Sequence, residues 1–232
     1  MILRQLFDPA TSTYTYLVAD GGEAVLIDPV AEQVDRDLQL LRELGLRLTW
    51  ALDTHVHADH ITGAGMLRER TGCATGVSRH AGVECATHGL AEGDEIRVGR
   101  YRLQVLETPG HTDTCLSYLL RDPRGRPVAV FTGDALLIRG CGRVDFQSGD
   151  AARLYDSVMG KLFTLPDETL VYPGHDYRGC TVSTIGEERR HNPRLTLGRE
   201  GFIRYMEALE LPLPARIQEA LPANRACGQG TA

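Results

Sequence analysis

Short apolar runs recur along the chain, and four of them stop at residues able to ligate a metal. The run 48–53 leads into Thr54-His55-Val56-His57-Ala58-Asp59-His60. The run 103–107 leads into Pro109-Gly110-His111, 128–131 into Thr132-Gly133-Asp134, and 170–172 into Pro173-Gly174-His175. Each reads as strand, tight turn and ligand, with a glycine directly before His111, Asp134 and His175, where the backbone turns without a Cβ in the way. Residues 13–19 and 23–27 predict two further strands joined by an Asp20-Gly21-Gly22 hairpin turn. A helix is expected over 32–44, with Val34, Leu38, Leu41 and Leu44 on one face and Gly45 as its stop. Another is expected over 61–70, directly behind the histidines. The stretch 96–131 is strand-rich, with turns at 98–100 and 122–125, and later helices are predicted over 151–162, 185–191 and 200–209.

From 212 to 232 the prolines at 212, 214 and 222 predict an irregular strap with a loose end. There is no internal repeat or linker, so one domain spanning 1–232 is expected. Strands with interspersed helices and hairpins indicate an α+β chain folded as an α/β/β/α sandwich, two mixed sheets with outer helices.

Composition narrows the classes. Hydrophobic content of 42% and charged content of 24% fit a soluble domain with a well-buried core. The net charge of -6 argues against nucleic acid or an anionic membrane as partner. No apolar run approaches the ~20 residues that span a bilayer. The apolar start at 1–7 is too short for a signal peptide, so a cytoplasmic location is the expectation. The six cysteines lie far apart with no C-x-x-C pair, and all are expected as reduced thiols.

A lone histidine at a strand end is more often a satisfied polar residue than a ligand. Three within six residues beside Asp59 reverse that, because an apolar core could not satisfy so many ring nitrogens. His111 and His175 gain weight by repetition. Asp134 alone could be a helix cap, the less frequent reading, and in this setting it reads as a ligand.

T-H-x-H-x-D-H followed by later His, Asp and His resembles the metallo-β-lactamase superfamily, whose members include two-zinc hydrolases and iron oxidoreductases. All seven ligand positions are present, so the cluster alone does not choose. A bridging Asp134 between two metals suits a hydrolytic hydroxide, whereas two histidines and one carboxylate suit ferrous iron with open positions. The run Gly133-Asp134-Ala135-Leu136-Leu137-Ile138-Arg139-Gly140-Cys141-Gly142-Arg143, with Asp145-Phe146-Gln147, is similar to the persulfide dioxygenases, the ethylmalonic-encephalopathy-protein-like family. Matching stretches include Ile27-Asp28-Pro29, Asn192-Pro193-Arg194-Leu195-Thr196-Leu197 and Pro222-Ala223-Asn224, from about residue 3 to 227.

That resemblance implies one Fe(2+) per chain held by His55, His111 and Asp134, with His57, Asp59, His60 and His175 around the site or holding an alternative second metal. It implies glutathione persulfide and O2 as substrates, with sulfite and glutathione as products. Arg139 and Arg143, beside the metal on a mobile or closely approached Gly-Cys-Gly loop, are candidate clamps for the tripeptide's carboxylates; Tyr177 is a third candidate contact. The bland reading makes both arginines solvated surface residues and the tyrosine half-buried. Cys141 has no partnered base and reads as a packing residue. A homodimer is the candidate assembly. The main rival is a dizinc glyoxalase II-like hydrolase of S-D-lactoylglutathione, which normally carries a longer helical carboxy-terminal region. A non-catalytic sulfur carrier or metal module is a weaker rival, with no rhodanese domain expected to supply sulfur.

Overall fold

At Gly21-Gly22 the chain reverses through two residues of positive φ, 61° and 83°, the conformation that lets a two-residue turn match the twist of its strands. It joins β2 (Thr13–Asp20) to β3 (Glu23–Ile27). The computed structural model describes residues 1–228. In it, β1 (Ile2–Asp8), β2, β3, β4 (Arg47–Leu52), β5 (Ala74–Ser78) and β6 (His88–Leu90) form one sheet in that spatial order. The first three are antiparallel and the rest parallel. Parallel neighbours need crossovers, and α1 (Val34–Glu43) and α2 (Ala64–Thr71) supply two of them.

The second sheet is built from β7 (Glu95–Val98), β8 (Tyr101–Glu107), β9 (Leu116–Arg121), β10 (Pro127–Gly133), β11 (Leu170–Pro173) and β12 (Ser183–Thr184). Only β10 and β11 run parallel, joined through α3 (Ala151–Ser157). Outer helices α4 (Ile185–His191) and α5 (Gly198–Glu207) follow.

Alternation along the strands assigns the layers. In β2, Tyr16 and Val18 meet Leu103, Val105, Leu120 and Phe131 of the other sheet, while Leu17 and Ala19 pack under Val34, Leu38 and Leu67 of α1 and α2. In the second sheet, Leu119 and Val130 face outward against Leu154, Ile185 and Phe202. Both faces of the central strands are therefore covered, which is why they read as continuous apolar runs. The expected α/β/β/α sandwich is the observed one.

Two buried tyrosines pin the sheets across this core. The Tyr16 hydroxyl donates to the Pro173 carbonyl at 2.6 Å, and the Tyr118 hydroxyl to the Asp53 carbonyl at 2.7 Å. Each pin sits where a strand is about to deliver metal ligands.

The structure departs from the sequence expectation in three places. β1, β5 and β6 form where the pattern is weak: β1 is a half-exposed edge, and Ala74-Thr75-Gly76-Val77-Ser78 is buried by its neighbours and not by its own hydrophobicity. The strap expected from 212 contains a helix, α6 (Ile217–Arg225), despite Pro222. Docking of Ala220, Ala223 and Asn224 against the fold offsets the lost backbone hydrogen bond. The loose end expected there lies, from 229 on, outside the described residues. Finally, Cys85 and Cys227 form a disulfide across 142 residues, which corrects the expectation of six free thiols. Sequence spacing cannot reveal a pair that only the tail's return to the loop before β6 brings together.

Replacing Tyr118 by Phe should cost ~1–3 kcal/mol in urea unfolding, because the buried Asp53 carbonyl loses its donor. A change within ~0.5 kcal/mol would show that carbonyl to be satisfied otherwise.

Candidate metal centre

The ligand-bearing loops come from both sheets: His55, His57, Asp59 and His60 after β4, His111 after β8, Asp134 after β10 and His175 after β11. Backbone hydrogen bonds tie them together, Leu116 N to Thr54 O at 2.7 Å and Gly174 N to Gly133 O at 2.9 Å. Gly133 has φ +48°, and a Cβ there would lie 2.6 Å from Thr54 Oγ1, so the turn before Asp134 needs glycine.

All five histidines are buried. Each has one ring nitrogen engaged by the protein. His55 Nδ1 meets Thr54 Oγ1 at 3.0 Å, and that hydroxyl in turn donates to Asp28 Oδ2 at 3.0 Å. His57 Nε2 meets Asp28 Oδ1 at 3.1 Å, and His60 Nδ1 meets Asp59 Oδ2 at 2.9 Å. His111 Nδ1 donates to the Arg143 carbonyl at 2.6 Å, and His175 Nδ1 donates to the Ser12 carbonyl at 3.3 Å. Such partners fix the tautomer and leave the other nitrogen as a lone-pair donor.

The free atoms gather in two groups. Ligand atoms of His55, His111 and Asp134 lie within 4.8 Å of one another, and so do those of His57, Asp59 and His60. Asp134 reaches His111 and His175 together: Oδ2 is 3.5 Å from His111 Nε2, and Oδ1 is 3.7 Å from His175 Nε2. His57 Nδ1, His60 Nε2 and Asp134 Oδ1 are buried with no hydrogen-bond partner among the described residues. Orphaned buried polar atoms are rare, and a cation is the chemistry that satisfies lone pairs without bringing donors of its own. The residues fit a metal.

Electrostatics separates the two groups. Burial, with His57 and His111 nearby, pushes the His55 imidazole well below its ordinary value, so it is neutral and able to ligate. Burial opposes charge on His57 too, but Asp28, Asp59 and Asp53 raise it to about 9, so a cation at Nδ1 would have to displace a proton there. Asp59, despite burial, is held well below the carboxylate range by His175 and His60.

In the sequence Asp28 stands within a matching stretch that shows no role for it. It orients His57 directly and His55 through Thr54, from a backbone of φ 50°. The signal was there in Ile27-Asp28-Pro29, an acid closing an apolar strand.

His55, His111 and Asp134, with Asp59 and His175, open into a cleft of about 820 Å³, lined also by Arg139, Arg143, Phe146, Tyr177, Arg178, Arg194 and Arg216. Arg139 is ion-paired with Glu187 and Glu188, so its charge is spent on anchoring the loop. Arg143 pairs with Asp145 at 2.6 Å and donates to the Pro212 carbonyl at 2.5 Å, tying the strap across the cleft. Tyr177 is 73% exposed and stacks over His175. Arg194 stands in the matching stretch 192–197 without a role legible there, and Arg178 and Arg216 carried no sequence signal beyond their type. The Gly-Cys-Gly backbone is closely approached and anchored: Gly142 N donates to Asp134 O at 2.7 Å, and a Cβ on Gly142 would meet His111 Nδ1 at 2.7 Å.

Fold and site together define a metallo-β-lactamase superfamily member, and the family model for that superfamily matches residues 8–175. Persulfide dioxygenase ETHE1, mitochondrial, of Mus musculus is 54% identical over 100% of this chain and 90% of its own length. The Homo sapiens protein of the same name is 53% identical with the same coverage. The crystal structure of ETHE1 from Myxococcus xanthus superposes with a TM-score of 0.93 at 61% identity, covering 99% of this chain and 100% of that one. The chain belongs to the persulfide dioxygenase family.

Cys141 is 3% exposed and packs beside Met206, and burial pushes its thiol up to about 11. The native protein at pH 8 should therefore leave it unmodified by iodoacetamide, and Cys141→Ala should retain turnover. Rapid alkylation with loss of activity would make it a reactive group after all.

Proposed function

We propose that the chain holds one Fe(2+) with His55, His111 and Asp134 and oxidises glutathione persulfide with O2 and water to sulfite and glutathione. The observation that carries this reading is the 54% identity across the whole chain to a protein named persulfide dioxygenase. Support comes from a donor set of two histidines and one carboxylate beside an open cleft, a set suited to ferrous iron. Iron held by His55, His111 and Asp134 would supply the redox chemistry that joins O2 to the persulfide sulfur.

The protein's own residues do the rest. Ring nitrogens anchored by Thr54 and the Arg143 carbonyl aim His55 and His111 inward, so little reorganisation accompanies metal binding. His57, Asp59, His60 and His175 complete a buried polar wall. The arginine-rich rim, with Arg143 and Tyr177 as nearest candidates and Arg178 beside them, suits a tripeptide with two carboxylates. Arg139 acts through the loop it anchors. A cytoplasmic location and a homodimer belong to the same proposal.

One observation favours a second reading. The orphaned His57 Nδ1 and His60 Nε2 would accept a second metal, as a dizinc thioester hydrolase requires. A Polaromonas hydroxyacylglutathione hydrolase is 37% identical over 82% of this chain.

Metal analysis of protein purified without added metal should find one iron per chain, and Asp134→Ala should strip it. Two zinc ions per chain, with activity restored by zinc and not by ferrous iron, would replace the reading with the hydrolase. In an oxygen electrode the iron-loaded enzyme should consume O2 and form sulfite from glutathione persulfide, while scarcely cleaving S-D-lactoylglutathione. Brisk thioester cleavage without O2 uptake would contradict it.

Arg143→Ala should raise KM by roughly 10- to 150-fold, the worth of one charged hydrogen bond. Iron content should stay unchanged, because the backbone carbonyl that orients His111 survives the substitution. Loss of iron would make the side chain structural.

A further inference from the structure

Near its end α6 returns to the histidine loop from far along the chain. Asn224, buried, donates from Nδ2 to the carbonyls of His57 and His60, at 2.8 Å each, and accepts from the Thr62 amide at Oδ1, also at 2.8 Å. Both amide protons and the carbonyl are thus used on one six-residue span, and the partners fix the amide's orientation: carbonyls can only accept and the amide can only donate.

Three residues on, Cys227 is bonded to Cys85. Its carbonyl accepts from Gly65 N at 3.2 Å, and a Cβ on Gly65 would stand 2.2 Å from that oxygen, so only glycine allows the approach. Arg68 of α2 holds the Cys85 carbonyl at 3.0 Å. Between this seam and the metal loop lies a cavity of about 20 Å³, bounded by His55, His57, Val83, Ala86, Asn224 and Cys227, a space on the scale of one water.

We propose that Asn224 is a positioning residue for the metal-binding loop, and that the Cys85–Cys227 disulfide is a redox latch that sets how firmly Asn224 is held and thereby tunes metal affinity. A nine-residue helix containing proline has little stability of its own, so its place depends on what it docks to. The disulfide closes a 142-residue separation and strongly restricts the tail's alternatives. Opening it takes two small-molecule thiols, which leave as their disulfide while two cysteine thiols form. A thiol-rich compartment opens the latch and an oxidising one closes it. With the latch open, Asn224 can withdraw, the His57 and His60 carbonyls lose their donor, and water can enter behind His55.

The inference takes the identity of the metal loop from the proposed function, and the test separates the two. Full-length apo protein, air-oxidised, is titrated anaerobically with ferrous ion alone against a chromophoric chelator. It is then reduced with a phosphine, which becomes the phosphine oxide with oxygen from water as the two thiols form, and titrated again. Alkylation under denaturing conditions should count four reactive thiols before reduction and six after. Asn224→Ala and Asn224→Asp should weaken iron binding by several-fold, below the about 10- to 100-fold cost of losing a direct partner of a ligand, because Asn224 acts through the loop that carries His55. They should also shift the visible spectrum of the cobalt-substituted protein and speed amide exchange at 57–62, with the sheet amides still protected. The reduced parent and Cys85→Ser, which need no change at Asn224, should show a smaller loss in the same direction. Iron affinity equal to the parent's in both Asn224 variants, no change on reduction, or six reactive thiols in the oxidised protein would overturn the inference. A parent that binds no iron would instead fail the metal reading beneath it.

Discussion

Five imidazoles and the carboxylates of Asp59 and Asp134 converge where the strand ends of the two sheets meet, and burying so many polar groups is the constraint that organises this protein. A buried polar atom without a partner costs free energy, and His57 Nδ1, His60 Nε2 and Asp134 Oδ1 have none among the described residues. The fold tolerates them because every ring is held from its other side, by Thr54, Asp28, Asp59, the Arg143 carbonyl or the Ser12 carbonyl. The surrounding architecture serves that arrangement. Tyr16 and Tyr118 fix one sheet against the other at the points where the loops leave the strands. Asp28 sits in a left-handed backbone so that one carboxylate can serve Thr54 and His57 together.

The chemistry of the family follows from what these constraints leave open. The group formed by His55, His111 and Asp134 faces the cleft, and its three protein donors leave coordination positions unfilled. The second group, His57 with Asp59 and His60, is more tightly committed: Asp59 pairs with His60 at 2.9 Å and approaches His175 at 3.6 Å. The chain has residues for two metals. The difference in commitment is the physical basis for expecting one. The cleft adds guanidinium groups already engaged by Asp145, Glu187 and Glu188, so recognition of an anionic tripeptide would have to exchange or share existing pairs.

Much of this was legible in the amino-acid sequence because of how parallel and doubly covered strands are written. Runs such as 128–131 are apolar throughout when both faces are buried, and the glycine before Asp134 marks the turn, so the ligand positions stand out. β5 was not legible, since Ala74-Thr75-Gly76-Val77-Ser78 owes its burial to its neighbours. Arg139 reads as a free cation beside the metal, and only the fold brings Glu187 and Glu188 to it from 48 and 49 residues away. The tail was least legible. Three prolines predict a strap, but α6, Asn224 and the disulfide depend on contacts across 142 to 167 residues, which leave no local pattern.

An anomalous-difference map at the iron edge, from crystals grown anaerobically with ferrous ion in excess, tests the account most directly. It should show one peak, within bonding distance of His55 Nε2, His111 Nε2 and the Asp134 carboxylate, and none among His57, Asp59 and His60. Two peaks of comparable height, bridged by Asp134, would contradict it.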